Sequence, residues 1–243
     1  MIRINSRKYK NIYWFKEVLD IKDILGFTEI YQYQGVCNIS SSFFKRKEFH
    51  TLKTDLTLSE DEIFASFRKK VRYEVRRSEK DNFEFHQLNN YSIDDFIDFY
   101  NVFAEEKNLL KLNRSSFNGM EDNLHFFYVK DDGLDKPMIL RVFLVDRSSM
   151  VTRFLYEASC PSNEIEDRNI HGRSSKFLHW ESIKYFKKHN FNIYDWGGIA
   201  LKDDPITNGI DNFKRSFGGV QFDELHLISF PLFIITSIIR IFR

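Results

Sequence analysis

The chain holds only two cysteines, Cys37 and Cys160, in 243 residues. They lack CxxC spacing and the even set of a small secreted framework, so reduced thiols in a cytoplasmic protein are expected. Nothing near either cysteine marks a histidine partner, which argues against a thiol nucleophile. The N-terminal stretch MIRINSRKYKNIYWF has no apolar h-region, and this argues against a signal peptide and export. The seven histidines show neither HExxH nor paired ligand spacing, so no metal site is expected. A GxSxG elbow, a Walker A loop and a GxGxxG fingerprint are also missing, which removes most of the weight from hydrolase and nucleotide-cofactor readings. A net charge of +1 argues against an obligate coating of nucleic acid but leaves room for a local basic patch.

Long apolar runs are scarce as well. Residues 227–239 are almost entirely apolar, yet the run is shorter than the roughly twenty residues that a spanning helix needs, and Pro231 interrupts it. Two readings of this tail stay open. It is a core strand followed by a packed helix, or an interfacial element on the cytoplasmic membrane face, with Arg240 and Arg243 meeting anionic lipid.

What is present is ordinary globular material, 42% hydrophobic and 29% charged, in a chain long enough for one large domain or two small ones. A short helix is expected near WFKEVLDIKDIL, then β-type runs at TEIYQYQGV and SFFKRKEFHTLKTDL. Ser59 and Glu62 form a capping box that opens a helix whose buried face is Ile63, Phe67, Val71 and Val75. NNYSIDDFIDFYNVFAEEKN reads as a second helix and NRSSFNGMEDN as a short capped turn. Three strands follow, LHFFYVKDD, MILRVFLVD and MVTRFLYEASC, with turn chemistry between them. A long helix over 173–189, a strand at FNIYDW, a loop and a last strand at FDELHLISF complete the order. An antiparallel meander whose last strand is joined by a crossover helix to a further strand gives a mixed α/β sheet. The expected organisation is an N-terminal extension over 1–58, a main domain over 59–230 and the apolar tail over 231–243.

Three constellations carry candidate chemistry. In FRKKVRYEVRRSEKDN, helical spacing puts Arg68, Arg72 and Arg76 on one face, with Arg77 and Lys80 close by, a stripe suited to a polyanion. A solvated, salt-bridged face has the same composition, and both readings remain open. NIHGRSS, residues 169–175, leads toward a helix. Gly172, Arg173, Ser174 and Ser175 there would offer backbone N–H groups and one charge to a pyrophosphate, although such loops also cap helices routinely. Third, in NIYDWGGIALKDDPITNGIDNFKRSFGG, Asp195 sits near a strand end before Gly197-Gly198, a frequent place for a site residue. Lys214 lies between Phe213 and Phe217, placed to stabilise an oxyanion or grip a phosphate. Trp196, Asn212 and Arg215 flank these residues as expected substrate contacts, and Glu157, near the end of TRFLYEAS, is a second candidate base.

Together, the basic segment, the stretch FLHWESIKYFKKHNFNIYDWGGI and GIDNFKRSFGGVQFDE resemble the FemAB-type branch of the GNAT acyltransferase superfamily. The last resembles its Phe-Lys-x-Gly-Phe-Gly-Gly signature, with Ser216 in place of the usual glycine, and the likeness covers roughly residues 54–225. It implies a GNAT fold, a mixed and mostly antiparallel sheet flanked by helices, and transfer of an acyl or aminoacyl group to an amine. Carried over by position, Lys214 matches the signature lysine associated with the donor end and with transition-state charge, and Arg72, Arg76 and Arg77 fall in the basic helix. Peptidoglycan bridge enzymes of this branch contain two GNAT-like domains, whereas this chain has room for one complete copy. The leading expectation is therefore an N-acyltransferase using acyl-CoA as co-substrate, with no permanently bound cofactor. Its acceptor would be an amino group of a cell-envelope precursor, such as a surface-polysaccharide amino sugar, lipid- or nucleotide-linked. In that chemistry Lys214 stabilises the oxyanion, and Asp195 or Glu157 accepts the amine proton. The alternatives are aminoacyl-tRNA-dependent transfer to a peptidoglycan precursor, and a non-catalytic module docked on the membrane.

Overall fold

A computed structural model describes residues 1–6, 10–33, 35, 42–88, 91–131, 136–161, 168–200 and 208–241. Cys37, the acidic stretch 201–207 and Arg243 lie outside them. In chain order the elements are β1 (Ile2–Ser6), β2 (Lys10–Trp14), α1 (Ile21–Leu25), β3 (Thr28–Tyr33), β4 (Phe44–Asp55), α2 (Glu60–Ser66), α3 (Lys69–Ser78), β5 (Phe83–Leu88) and α4 (Ile93–Glu106). Then come β6 (Leu124–Asp131), β7 (Ile139–Asp146), β8 (Val151–Ser159), α5 (Arg168–Lys188), β9 (Ile193–Gly198), α6 (Asn208–Arg215), β10 (Val220–Ser229) and α7 (Phe230–Ile241). They divide into a larger unit, residues 52–117 and 123–220, and a smaller one, residues 1–51, 118–122 and 221–243.

In the larger unit the strands follow the order β9-β8-β7-β6-β5, with the end of β4 beside β9. β5 to β8 form the expected antiparallel meander. Every residue of β7 is buried, because helices cover both faces, and its unbroken apolar run follows from that. On one face α2, α3 and α5 bury Ile63, Phe67, Val71, Val75, Ile183 and Phe186 against Ile139, Phe143 and Val145 of β7. On the other, α4 sets Phe96, Ile97 and Tyr100 against Leu140 and Val142. α5 then carries the chain to β9, which runs parallel to β8 over Val151↔Ile193, Thr152↔Tyr194 and Arg153↔Asp195. The pairing extends to that last pair, while β8 itself continues to Ser159.

The smaller unit pairs β1 with β2 antiparallel, β2 with β3 parallel and β3 with β10 antiparallel. Ile30, Tyr33, Phe44 and Leu227 form its core. The short helix expected near WFKEVLDIKDIL is α1 alone, set by an Asp20–Asp23 capping box, and Trp14 lies in β2 instead. β10 passes directly into α7, with Pro231 in the first turn, where a missing N–H costs nothing. No helix among the described residues is long and apolar enough to cross a membrane.

Two helices depart from the sequence pattern. Ser59 and Glu62 form the expected capping box, but the single helix expected after them breaks at Phe67 and Arg68, whose ψ angles are 144° and 148°. The apolar spacing of four persists across the break, with Ile63, Phe67, Val71 and Val75 all buried. Arg72 closes the gap: its Nη1 donates to the carbonyls of Ala65 and Phe67 at 2.7 and 2.5 Å, acceptors left over where α2 ends. α5 starts earlier than the sequence pattern indicates, at Arg168, so that the expected loop at 169–175 forms its first two turns. A short helix, α6, occupies what was expected as loop before the last strand.

Candidate active site

β9 lies inside the sheet, and Tyr194, Asp195 and Trp196 on it have no exposed surface. Asp195 uses Oδ1 to accept the Gly197 N–H at 2.7 Å, and Oδ2 lies 4.0 Å from Nη1 of Arg153, its register partner on β8. Gly197 has φ +77°, where side chains are disfavoured. A β-carbon there would stand 3.2 Å from the Phe154 carbonyl oxygen, 3.7 Å from Lys214 Nζ and 3.9 Å from Arg153 Nη2. The glycine thus marks the point at which β8, β9 and two cations converge.

α6 brings Lys214 to that point. Its Nζ donates to the Gly198 carbonyl at 2.7 Å, and the residue is only 9% exposed. Burial strips water from the ammonium and Arg153 repels it, while Asp211 and Asp195 act in the opposite direction. The balance lowers the Lys214 pKa to about 8. Asp211, one turn earlier, accepts the Ala200 N–H at 2.8 Å, tying α6 to the chain leaving β9. Arg153, Asp195, Asp211 and Lys214 therefore form one electrostatic cluster around Gly197 and Gly198.

The glycine pair after the lysine has a separate task. The Arg68 N–H donates to the Ser216 carbonyl at 2.8 Å, so the turn after α6 docks on the α2–α3 break. Gly218, at φ +73°, approaches so closely that a β-carbon would meet Ser66 atoms at 2.6 to 2.9 Å. Gly219, at φ +85°, has the Lys53 carbonyl oxygen 3.0 Å from the same position. Ser216, standing where the signature has glycine, donates its hydroxyl to the Phe213 carbonyl at 2.5 Å. Phe213 and Phe217 anchor this turn by packing on His179.

The other candidates lie elsewhere. Glu157 accepts hydrogen bonds from Arg141, including Nε at 2.8 Å, and from the Ser175 hydroxyl at 2.8 Å. Since Arg141 is fully buried, Glu157 is its counter-ion, and Ser175 completes a network joining β7, β8 and α5. Gly172, Arg173, Ser174 and Ser175 lie within α5, where intrahelical bonds take their N–H groups and leave open only those of the first four residues. Arg173 pairs with Asp81 at 2.6 Å, and Ser174 donates to the His171 carbonyl at 3.0 Å. Trp196 is a core residue whose Nε1 donates to Thr54 Oγ1 at 2.9 Å. Asn212 is exposed on α6 and Arg215 half-buried there. Arg76 and Arg77 line an open groove of about 780 Å³ with Tyr73, Lys80 and Trp180, and the Arg76 guanidinium lies 5.3 Å over the Phe64 ring.

Two residues escaped the sequence reading. His179 is fully buried, its Nδ1 2.8 Å from the Tyr194 hydroxyl and its ring 4.5 Å from Trp196. Burial, reinforced by Arg141 and Lys214, holds its pKa well below 6.5, so it is neutral at physiological pH. Arg153 is the other. Its signal in the sequence was a lone cation in the strand VTRFLYEAS.

The fold is similar to that of FemX, as the sequence motifs imply. By sequence, no family model matches the chain, and no curated protein matches it significantly. By structure, it is similar to FemX, with a TM-score of 0.69 at 14% identity, over 96% of this chain and 85% of that one. It is similar also to the C-terminal domain of a putative lysylphosphatidylglycerol synthetase from Agrobacterium fabrum, with a TM-score of 0.60 at 11% identity over 97% and 82% of the two chains. L-PGS from Bacillus licheniformis gives 0.60 at 11% identity, over 96% and 82%.

Proposed function

We propose that the protein is a cytoplasmic acyltransferase that moves an acyl or aminoacyl group from an activated donor to an amino group of a cell-envelope precursor, such as an amino sugar of a surface polysaccharide. The observation that carries this reading is Lys214. It is buried, pinned to the Gly198 carbonyl and lowered toward neutrality at the junction of the two parallel strands. In the reaction, the acceptor nitrogen attacks the carbonyl carbon of a thioester or ester, forming the C–N bond. The intermediate then collapses with cleavage of the C–S or C–O bond, the amine loses a proton, and the leaving group takes one up. Holding donor and acceptor together provides much of the acceleration. As an ammonium, Lys214 stabilises the oxyanion of the intermediate in a site poor in water. Asp195 belongs to the same electrostatic cluster, and because it has no exposed surface we assign it the role of drawing the amine proton away through water. Glu157, committed to Arg141, is the weaker candidate for that role.

The resemblance of the sequence motifs to the FemAB-type branch supports a second reading, with aminoacyl-tRNA as donor and a peptidoglycan precursor as acceptor. The groove beside Arg76, Arg77 and Lys80 also carries Glu60, Asp61 and Glu79, so its charge is mixed, and its aromatic side chains, Phe64, Tyr73 and Trp180, are the part suited to stacking bases. A direct assay separates the two. Purified protein is incubated with an amino-sugar nucleotide and a mixture of acyl-CoA thioesters, and in parallel with a peptidoglycan precursor and charged tRNA, and the products are weighed by mass spectrometry. Transfer from CoA alone supports the first reading and transfer from tRNA alone the second. Transfer from neither overturns both.

A further inference from the structure

α7 is amphipathic in the inverse sense for a packed helix. Leu232 is buried and Thr236 and Ser237 are half-buried, whereas Phe230, Ile234, Ile238 and Ile241 face solvent along one stripe, from 44% to 78% exposed. Ile235 and Ile239 widen the stripe, at 42% and 52% exposed. α1 packs beside α7 within the same unit and adds Ile21 and Leu25, at 63% and 71% exposed. A helix whose hydroxyl side turns inward and whose isoleucines turn outward gains nothing from water, so the face is built for an apolar phase.

The charge beside it selects which phase. Lys45 Nζ lies 5.9 Å from the ring centroid of Phe233, and Lys45, Arg46 and Lys47 are exposed consecutively at the start of β4, with Glu48 the one acidic residue next to them. Arg240 is exposed near the end of α7, which carries no acidic residue. Among the acids on the α1 side, Asp20 lies within 3.4 Å of Lys16 and caps α1, and Asp23 is buried against the same lysine.

We propose that this face of the smaller unit docks on an anionic lipid bilayer. α7 lies in the interface with its isoleucines among the acyl chains, and Lys45, Lys47 and Arg240 meet the lipid phosphates. With 12 residues, α7 covers only about 18 Å, so it lies on the bilayer instead of crossing it. The docking is independent of the chemistry assigned to Lys214.

The test is co-sedimentation of the full chain with vesicles of phosphatidylcholine alone and of phosphatidylcholine mixed with phosphatidylglycerol. The protein is expected to partition onto the mixed vesicles and to be released by added salt. Ile234→Ser with Ile238→Ser should weaken partitioning by about tenfold or more, and Lys45→Glu with Lys47→Glu by about fivefold or more per charge. All four positions are exposed, so both variants should keep the wild-type circular dichroism spectrum. Two results overturn the proposal. One is equal sedimentation of wild type and both variants with the mixed vesicles. The other is a wild type that ignores lipid but forms a dimer that Ile234→Ser with Ile238→Ser dissolves, which would assign the face to a second copy of the chain.

Discussion

The Lys214 ammonium donates to the Gly198 carbonyl at 2.7 Å, and this one bond fixes the cation of α6 over the end of β9. It joins residues 16 positions apart in the chain. Its consequences are testable from both ends, through the lysine and through the glycines that let the chain approach.

The glycines give a pair of opposed stability changes. Gly218→Ala puts a β-carbon against Ser66 at 2.6 Å in a left-handed conformation and should cost about 1 to 3 kcal/mol. Gly209 in α6 has nothing within 4 Å of the same position. Gly209→Ala should therefore stabilise the protein by about 0.5 to 1 kcal/mol. Urea denaturation midpoints of the two variants should move in opposite directions from the wild type.

Glu157 separates a structural role from a catalytic one. Its carboxylate is the counter-ion of Arg141, which is fully buried, so Glu157→Ala leaves an uncompensated guanidinium in the core. The expected loss of stability is on the order of 3 kcal/mol, visible as a fall in Tm. A variant with unchanged Tm and abolished transfer would instead make Glu157 the base.

The lowered pKa of Lys214 makes two pH signatures. The folded chain gives up this proton near pH 8, whereas the unfolded chain keeps it to about the ordinary 10.5. Between these values the unfolded state binds more protons, so this residue contributes stability that grows as pH rises through the window and is absent below it. In Lys214→Met that gain should vanish, so the Tm difference between variant and wild type changes across the window. Catalysis runs the other way. If the ammonium stabilises the oxyanion, wild-type transfer falls as pH climbs past about 8, and the variant lacks that limb.

Much of the frame is legible in the sequence. The Ser59–Glu62 capping box, the buried run of β7, the meander with its crossover and the Phe-Lys-Arg-Ser-Phe-Gly-Gly signature are local patterns, and the structure forms each of them. What escapes depends on register or on competition between neighbours. The pairs Arg141↔Glu157 and Arg153↔Asp195 appear only once β8 is aligned with its two neighbours. A spacing of four runs unbroken through Phe67, yet the backbone there is extended, because Arg72 can satisfy the carbonyls that the break releases. Gly172 and the serines after it suggest a loop. They are helical because Arg173 is drawn to Asp81, just beyond α3, and Lys176 to Glu74 on it, which holds that turn of α5 against its neighbour.

The central claim is that the cation held at Gly198 promotes acyl transfer. Its most direct test is single-turnover transfer by wild type and Lys214→Met, with whichever donor proves competent, followed by product mass. An amide product should form, at a rate that falls about 10²- to 10³-fold in the variant, with the circular dichroism spectrum unchanged. Equal rates in the two proteins would contradict it.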